Sequence, residues 1–368
     1  HPKTSQPRKE YITFILRKNY KFTFMKRYAY FLSFTVMVSI WYSLSESDVL
    51  SWVAPIFVFG LIPLLELIIG SVDTAPTEEK LQKRLNDPFF DYVLYLFFSL
   101  QVLTCLFFVW YTTNTEIGTL TWWGHVTSMG ICCGTFGINI AHELGHRVNK
   151  KEQFMAKVLL LSSLYMHFFI EHNRGHHKKV ATPEDPSTAR LNEPVQFFWI
   201  RSMVQTWLES WRLEFVRLKR KGLVKFSLSN EMLQFQIIQL IMVLVIYFFF
   251  GFTSMLSWII AAFIGAILLE TINYIEHYGL FRKKENEYYE RVEHWHSWNS
   301  NHLVGRLLLF ELSRHSDHHY KSNKKYQILE NSNVAPQMPT GYPGMMVLAQ
   351  FYPIWIFVMN PKVKSALK

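Results

Sequence analysis

The chain has 368 residues, half of them apolar and 17% aromatic, and a formal net charge of +10. That length suits two soluble domains, but the apolar residues lie in long runs rather than in alternating or amphipathic patterns, which marks membrane helices instead. A basic balance alone admits nucleic acid, anionic lipid or an acidic partner. Here Lys and Arg flank the apolar runs, so lipid headgroups and an acidic partner are expected and nucleic acid is not. The three cysteines, Cys105, Cys132 and Cys133, lie in apolar stretches without a Cys-x-x-Cys pair. That excludes a cysteine-held zinc, a rubredoxin module or an iron–sulfur cluster in this chain.

Taken in chain order, residues 1–27 mix basic and aromatic side chains and predict a cytoplasmic or interfacial segment. No cleavable signal peptide is expected, and His1 suggests numbering that starts after the initiator. A spanning helix needs about 20 mostly apolar residues. Candidates lie at 28–45, 48–70, 91–112, 119–141, 233–251 and 254–274, with a shorter apolar stretch at 154–170. The fold class expected is therefore all-α, a polytopic membrane protein. About six transmembrane helices and a re-entrant or shallow helix fill a domain at 28–279. The more polar 280–368 forms a cytoplasmic, histidine-rich cap.

Orientation follows from Lys and Arg. They crowd the segment before the first span (Arg8, Lys9, Arg17, Lys18, Lys21, Lys26, Arg27), the connection at 71–90 and the stretch at 211–225. The connections at 46–48, 112–118 and 251–254 contain none. The N-terminus is thus expected in the cytoplasm. Four spans bring His142–His146 to that face, and the last two return His277 and the cap. His172–His177 joins them only if 154–170 does not cross. Its length is marginal, and Ser162, Ser163 and His167 dilute it.

Nine of the fifteen histidines form a pattern. His142 and His146 are four apart, and His172, His176 and His177 follow H-x-x-x-H-H. His315, His318 and His319 follow H-x-x-H-H, and His277 ends the last span. Spacings of three and four put two imidazoles on one helical face, able to grip one metal, and the adjacent histidine of each pair is free to reach a second. Imidazole suits Fe, Zn, Cu and Ni, and two metals with four or five histidines each is the simplest count. The stretch 142–146 also reads His-Glu-x-x-His, a zinc-protease pattern, but such a site needs three ligands and has no use for the other clusters. A metal transporter is a rival of another class, although transporters place ligands near the midplane, whereas these clusters sit at span ends and in loops.

At these residues the sequence resembles the integral-membrane alkane 1-monooxygenases. The likeness is carried by Gly-Ile-Asn-Ile-Ala-His-Glu-Leu-Gly-His-Arg (137–147), His-Phe-Phe-Ile-Glu-His-Asn-Arg-Gly-His-His (167–177), Asn-Tyr-Ile-Glu-His-Tyr-Gly-Leu (273–280) and Leu-Ser-Arg-His-Ser-Asp-His-His (312–319). Ala-Thr-Pro-Glu-Asp-Pro (181–186), His-Ser-Trp-Asn-Ser-Asn-His (296–302) and Pro-Thr-Gly-Tyr-Pro-Gly (339–344) also look familial. The resemblance implies two non-haem irons on His142, His146, His172, His176, His177, His277, His315, His318 and His319, with neither haem nor flavin. It implies O₂ as co-substrate and terminal hydroxylation of medium- to long-chain n-alkanes. Electrons would come from rubredoxin, itself reduced by an NADH-dependent reductase. It also implies the bacterial inner membrane, with the active site on the cytoplasmic side. Membrane fatty-acid desaturases, fatty-acid hydroxylases and xylene-type monooxygenases share the spacing more loosely.

Glu143, Glu171, Glu276 and Asp317 each adjoin one of these histidines and are expected to orient imidazoles by accepting their far N–H, with capping or ion pairing as the alternative. Glu270 and Asn273 share a face of the last span and are expected to support the site. Glu66, near the end of the second span, reads equally as a group supporting the site or as a structural hydrogen-bonding group. Val58 is expected in the substrate channel. His294, His296 and His302 read as structural or near the electron-donor surface, and His125 and His167 as satisfied polar groups.

Overall fold

In hydrocarbon every backbone N–H and C=O must find a partner within its own segment, so long apolar runs become helices. The computed structural model describes residues 27–72 and 76–367. The interfacial segment expected at 1–27 lies outside the described residues except for Arg27. After a turn at Tyr28–Leu32 come α1 (Ser33–Ser45), α2 (Asp48–Ile69), α3 (Glu78–Leu85) and α4 (Phe89–Tyr111). Next are α5 (120–145), α6 (Lys150–Ser162), α7 (168–179), α8 (Val195–Arg220) and α9 (Glu231–His277). The cap contributes α10 (Leu303–Leu308), α11 (His315–Tyr320), α12 (Tyr342–Ala349) and α13 (Tyr352–Ala366). Sheet among the described residues is one antiparallel pair, β1 (Lys284–Glu285) and β2 (Tyr288–Tyr289).

Three helices are long and apolar enough to cross a membrane: Asp48–Ile69, Phe89–Asn114 and Glu231–His277. They contain four of the six expected spans, because α9 is two arms broken at Gly251, whose φ of 84° leaves the helical region. The arms fold back on each other. The neighbouring residues Tyr165 and Met166 bond Glu270 and Gln239 respectively, which a straight helix would hold ~46 Å apart. The other two expected spans are helical but less uniformly apolar.

The stretch at 154–170 divides. With 13 residues, α6 reaches ~20 Å, short of the ~30 Å of a bilayer core. Leu164, at φ 49°, reverses the chain into α7. The tip is held by protein groups. Met166 N–H donates to Gln239 Oε1 at 2.9 Å, Cys133 Sγ to the Ser162 carbonyl at 3.4 Å, and Ser163 Oγ to the Cys133 carbonyl at 3.3 Å. Both legs are tied to Glu231, α6 through Lys157 at 3.1 Å and α7 through Arg174.

The 26-residue α8 was not anticipated. The middle of its buried face is a ladder of Ser202, Thr206 and Ser210, between Val195 and Phe198 at one end and Glu214 and Leu218 at the other, and these small residues let it pack closely against α7 and α9.

The cap is fastened over the ends of α2 and α9. Glu66, fully buried near the end of α2, accepts the Gly305 N–H at 3.0 Å, the structural one of its two expected roles. A Cβ at Gly341 would sit 1.8 Å from Glu66 Oε1, so only glycine fits there. Trp298 donates to the Tyr278 carbonyl at 2.9 Å, one residue past His277.

Candidate metal centre

The end of α5 carries His142 and His146. A π-helical turn at Cys133–Ile138 precedes them, and a second, His172–His176, lies inside α7. That second turn changes which histidines share a face. At 3.6 residues per turn His172 and His176 would align; through a wider π turn the partner is five residues on. His172 Nε2 therefore lies 2.9 Å from His177 Nε2, and His176 points elsewhere. This corrects the expected pairing of His172 with His176. On α11 the four-residue spacing wins over the three-residue one: His315 and His319 face one way and His318 the other.

The nine histidines thus come together as two groups. His142, His146, His172, His177 and His318 form one; His176, His277, His315 and His319 form the other. Within each, the ligand atoms lie within 4.8 Å of one another. His146 Nε2 is 3.1 Å from both His172 Nε2 and His177 Nε2, and His318 Nε2 is 3.2 Å from His177 Nε2. In the second group His176 Nε2 is 3.2 Å from His319 Nε2, and His315 Nε2 is 3.1 Å from His277 Nε2.

These separations test the fit of a metal. Two nitrogens ~2.1 Å from one ion and at right angles lie ~3.0 Å apart. The tautomer of His176 is fixed, because its Nδ1 lies 3.0 Å from Asp185 Oδ2, and a carboxylate can only accept. Its Nε2 therefore presents a lone pair to His319. His142 Nε2 is buried without a protein partner. Burial first, then the neighbouring imidazoles, pushes His146 down to about 3 and holds His172, His177, His315, His318 and His319 well below the ordinary range. Neutral imidazoles whose ring nitrogens converge are the donor set that metals require. The residues fit two metal ions.

The carboxylates divide differently from expectation. Asp185, given no role from sequence, is fully buried behind His176 and braced by Thr188 Oγ1 at 2.6 Å. The signal was its place in the familial stretch 181–186. Glu276 accepts from Tyr342 at 2.7 Å, and its other oxygen lies 3.2 Å from His315 Nε2. It therefore reaches the metal-facing nitrogen rather than the far one. Glu143 binds Arg147 at 2.6 Å and the Tyr326 N–H at 3.2 Å. Asp317 takes Lys324 at 2.8 Å and the Glu330 N–H at 2.9 Å, with the non-ligand His294 at 3.4 Å. Neither orients a clustered imidazole, because each step along a helix turns the side chain by about 100°. Glu171 is buried with Oε1 unpartnered and makes no bond to an imidazole. Glu270 holds the re-entrant tip through Tyr165 at 2.9 Å, and Asn273 donates to it at 3.3 Å.

His296 and His302 are held locally by Glu290 and Ser300. His125 and His167, expected to be satisfied, each keep one buried ring nitrogen without a partner. A narrow cavity borders both groups. Ile138, Phe168, Leu269 and Leu312 supply its apolar wall, and His142, His172 and His315 meet it at one end. Val58 is buried in a π turn of α2, Phe57–Leu61, and does not line this cavity.

The fatty acid desaturase family model matches residues 120–349. The chain is 40% identical to alkane 1-monooxygenase 1 of Pseudomonas aeruginosa over 93% of its own length and 92% of that protein's. It is 35% identical to alkane 1-monooxygenase 2 of Alcanivorax borkumensis, with the same coverage. A xylene/toluene monooxygenase hydroxylase component of Pseudomonas putida is 27% identical over 66% of this chain and 64% of that one.

Proposed function

The chain belongs to the alkane 1-monooxygenase family, and on that premise we propose that it hydroxylates the terminal methyl of medium- to long-chain n-alkanes at a pair of irons held by its nine clustered histidines. The observation that carries the reading is the two imidazole groups meeting one apolar cavity. When bound, the two irons supply O₂ activation for insertion of one oxygen atom into a C–H bond. The chain's own residues do the rest. The apolar wall holds the alkyl chain and excludes water. Asp185 keeps the proton on His176 Nδ1, so that Nε2 stays a ligand. Glu276 brings a carboxyl oxygen to the four-histidine group.

Six spans place the N-terminus, both groups and the cap on the cytoplasmic side of the bacterial inner membrane. Rubredoxin delivers electrons there, favoured by the basic face. Val58, small and buried in α2, allows long chains. The test is metal analysis of the purified protein together with whole-cell conversion of octane, a xylene and a fatty acid, with rubredoxin and its reductase supplied. Two irons per chain and 1-octanol are expected. A single zinc with no iron, or oxidation of the fatty acid alone, overturns the proposal.

A further inference from the structure

The face farthest from the histidine groups carries a second built feature. His125 and His146 lie on one helix, α5 and its last turn, 21 residues apart and so roughly 30 Å apart. Around His125, the start of α2, the α4–α5 connection and the tip of the α9 hairpin enclose an open crevice. Asp48 and Glu116 line it, no Lys or Arg does, and neither carboxylate has an ion-pair partner among the described residues. Trp110 and Tyr111 form an aromatic side.

His125 supplies an independent indication. It is 1% exposed and lines the crevice, with Nε2 2.8 Å from the Glu46 carbonyl oxygen. A carbonyl only accepts, so Nε2 carries the hydrogen and Nδ1 is a bare lone pair. That Nδ1 is buried with no partner. The crevice therefore offers two carboxylates and aromatic faces, with the unpartnered Nδ1 of His125 buried in its wall, which is chemistry that receives an ammonium group. It is not a metal site, since Asp48, Glu116 and His125 do not fall within ligand distance of one another, unlike the two histidine groups.

Phe250 walls this crevice and also a neighbouring, almost wholly apolar one. The second crevice runs between α4 and the first arm of α9, past Leu106, Val109 and Val245. A polar, cation-seeking mouth next to a greasy slot, with Phe250 walling both, has the two-part form of a lipid. Asn114 and Thr115 at the mouth carry neutral donors suited to a phosphate ester.

We propose that this face binds one phospholipid with a primary-ammonium headgroup, the ammonium at Asp48, Glu116 and His125 and one acyl chain in the slot beside Phe250. The site is independent of the alkane chemistry and rests only on the chain being membrane-embedded. It is tested on the full-length protein, stripped of lipid in detergent and titrated with phosphatidylethanolamine or with phosphatidylglycerol of the same acyl chains. Bound lipid is counted by native mass spectrometry. One phosphatidylethanolamine per chain is expected, preferred about tenfold over phosphatidylglycerol, as two exposed ion pairs and a cation–π contact would give. The double variant Asp48→Asn/Glu116→Gln removes that preference while alkane hydroxylation continues, which shows that it is folded. Val245→Trp lowers retention of both lipids alike. Equal binding of the two lipids, a preference that survives the double variant, or displacement of the bound lipid by hexadecane with no headgroup discrimination overturns the proposal.

Discussion

The two histidine groups lie side by side but are built on different terms. The five-imidazole group is neutral: among the described residues no carboxylate bonds any of its members. The four-imidazole group is backed by Asp185 on His176 and touched by Glu276 at His315. The fewer imidazoles are thus accompanied by two buried carboxyl groups, one orienting an imidazole and one within reach of the metal position. The difference teaches that the groups should not fail alike. Removing one imidazole from five leaves as many as the other group has intact, whereas removing one from four leaves three.

The sharpest way to break that comparison is His315→Ala against His318→Ala. The first is expected to leave one iron per chain and no detectable octane hydroxylation, and the second to keep two irons with reduced turnover. Equal metal loss in both would show the groups to be equivalent. Asp185→Asn comes next. It is expected to weaken retention in the four-imidazole group and to lower activity about 10–100-fold, without disturbing the other group, as read by Mössbauer spectra of the iron-loaded protein. Away from the groups, Gly341→Ala presses a methyl against buried Glu66 and is expected to cost about 1–3 kcal/mol of stability, seen as a lower unfolding temperature. Tyr165→Phe removes one buried bond to Glu270 and is expected to cost roughly 1 kcal/mol while leaving the iron content at two. The smallest effect is Val58→Trp, which should shorten the preferred alkane. An unchanged chain-length profile in product analysis would remove Val58 from any account of substrate depth.

Much of the arrangement was legible in the sequence. Span length, diluted by Ser162, Ser163 and His167, marked 154–170 as unlike the other apolar runs, and in the structure that stretch divides at Leu164, with Gln239 and Glu270 bonding the turn. Histidine spacing indicated two groups of four or five. Membership was not legible, because the π turn at His172–His176 breaks the 3.6-residue rule on which the spacing argument stands. Glu143 and Asp317 show that being next to a histidine in sequence does not place a carboxylate behind its ring. Asp185 shows the converse, acting on His176 from a loop nine residues away. Helix α8 escaped notice because the middle of its buried face is hydroxylated, which interrupts the apolar stripe between Phe198 and Leu218, although Ser202, Thr206 and Ser210 keep a regular four-residue step.

The re-entrant tip has a consequence for how the chain is made. Its holding groups arrive late in synthesis, Gln239 being 73 residues beyond Met166 and Glu270 105 residues beyond Tyr165. Until the α9 hairpin leaves the ribosome, the tip has no partner for an amide that hydrocarbon cannot solvate. The tip is fastened only after that. A chain halted before residue 239 therefore lacks both holding groups and also His277, His315, His318 and His319, and so contains neither histidine group complete.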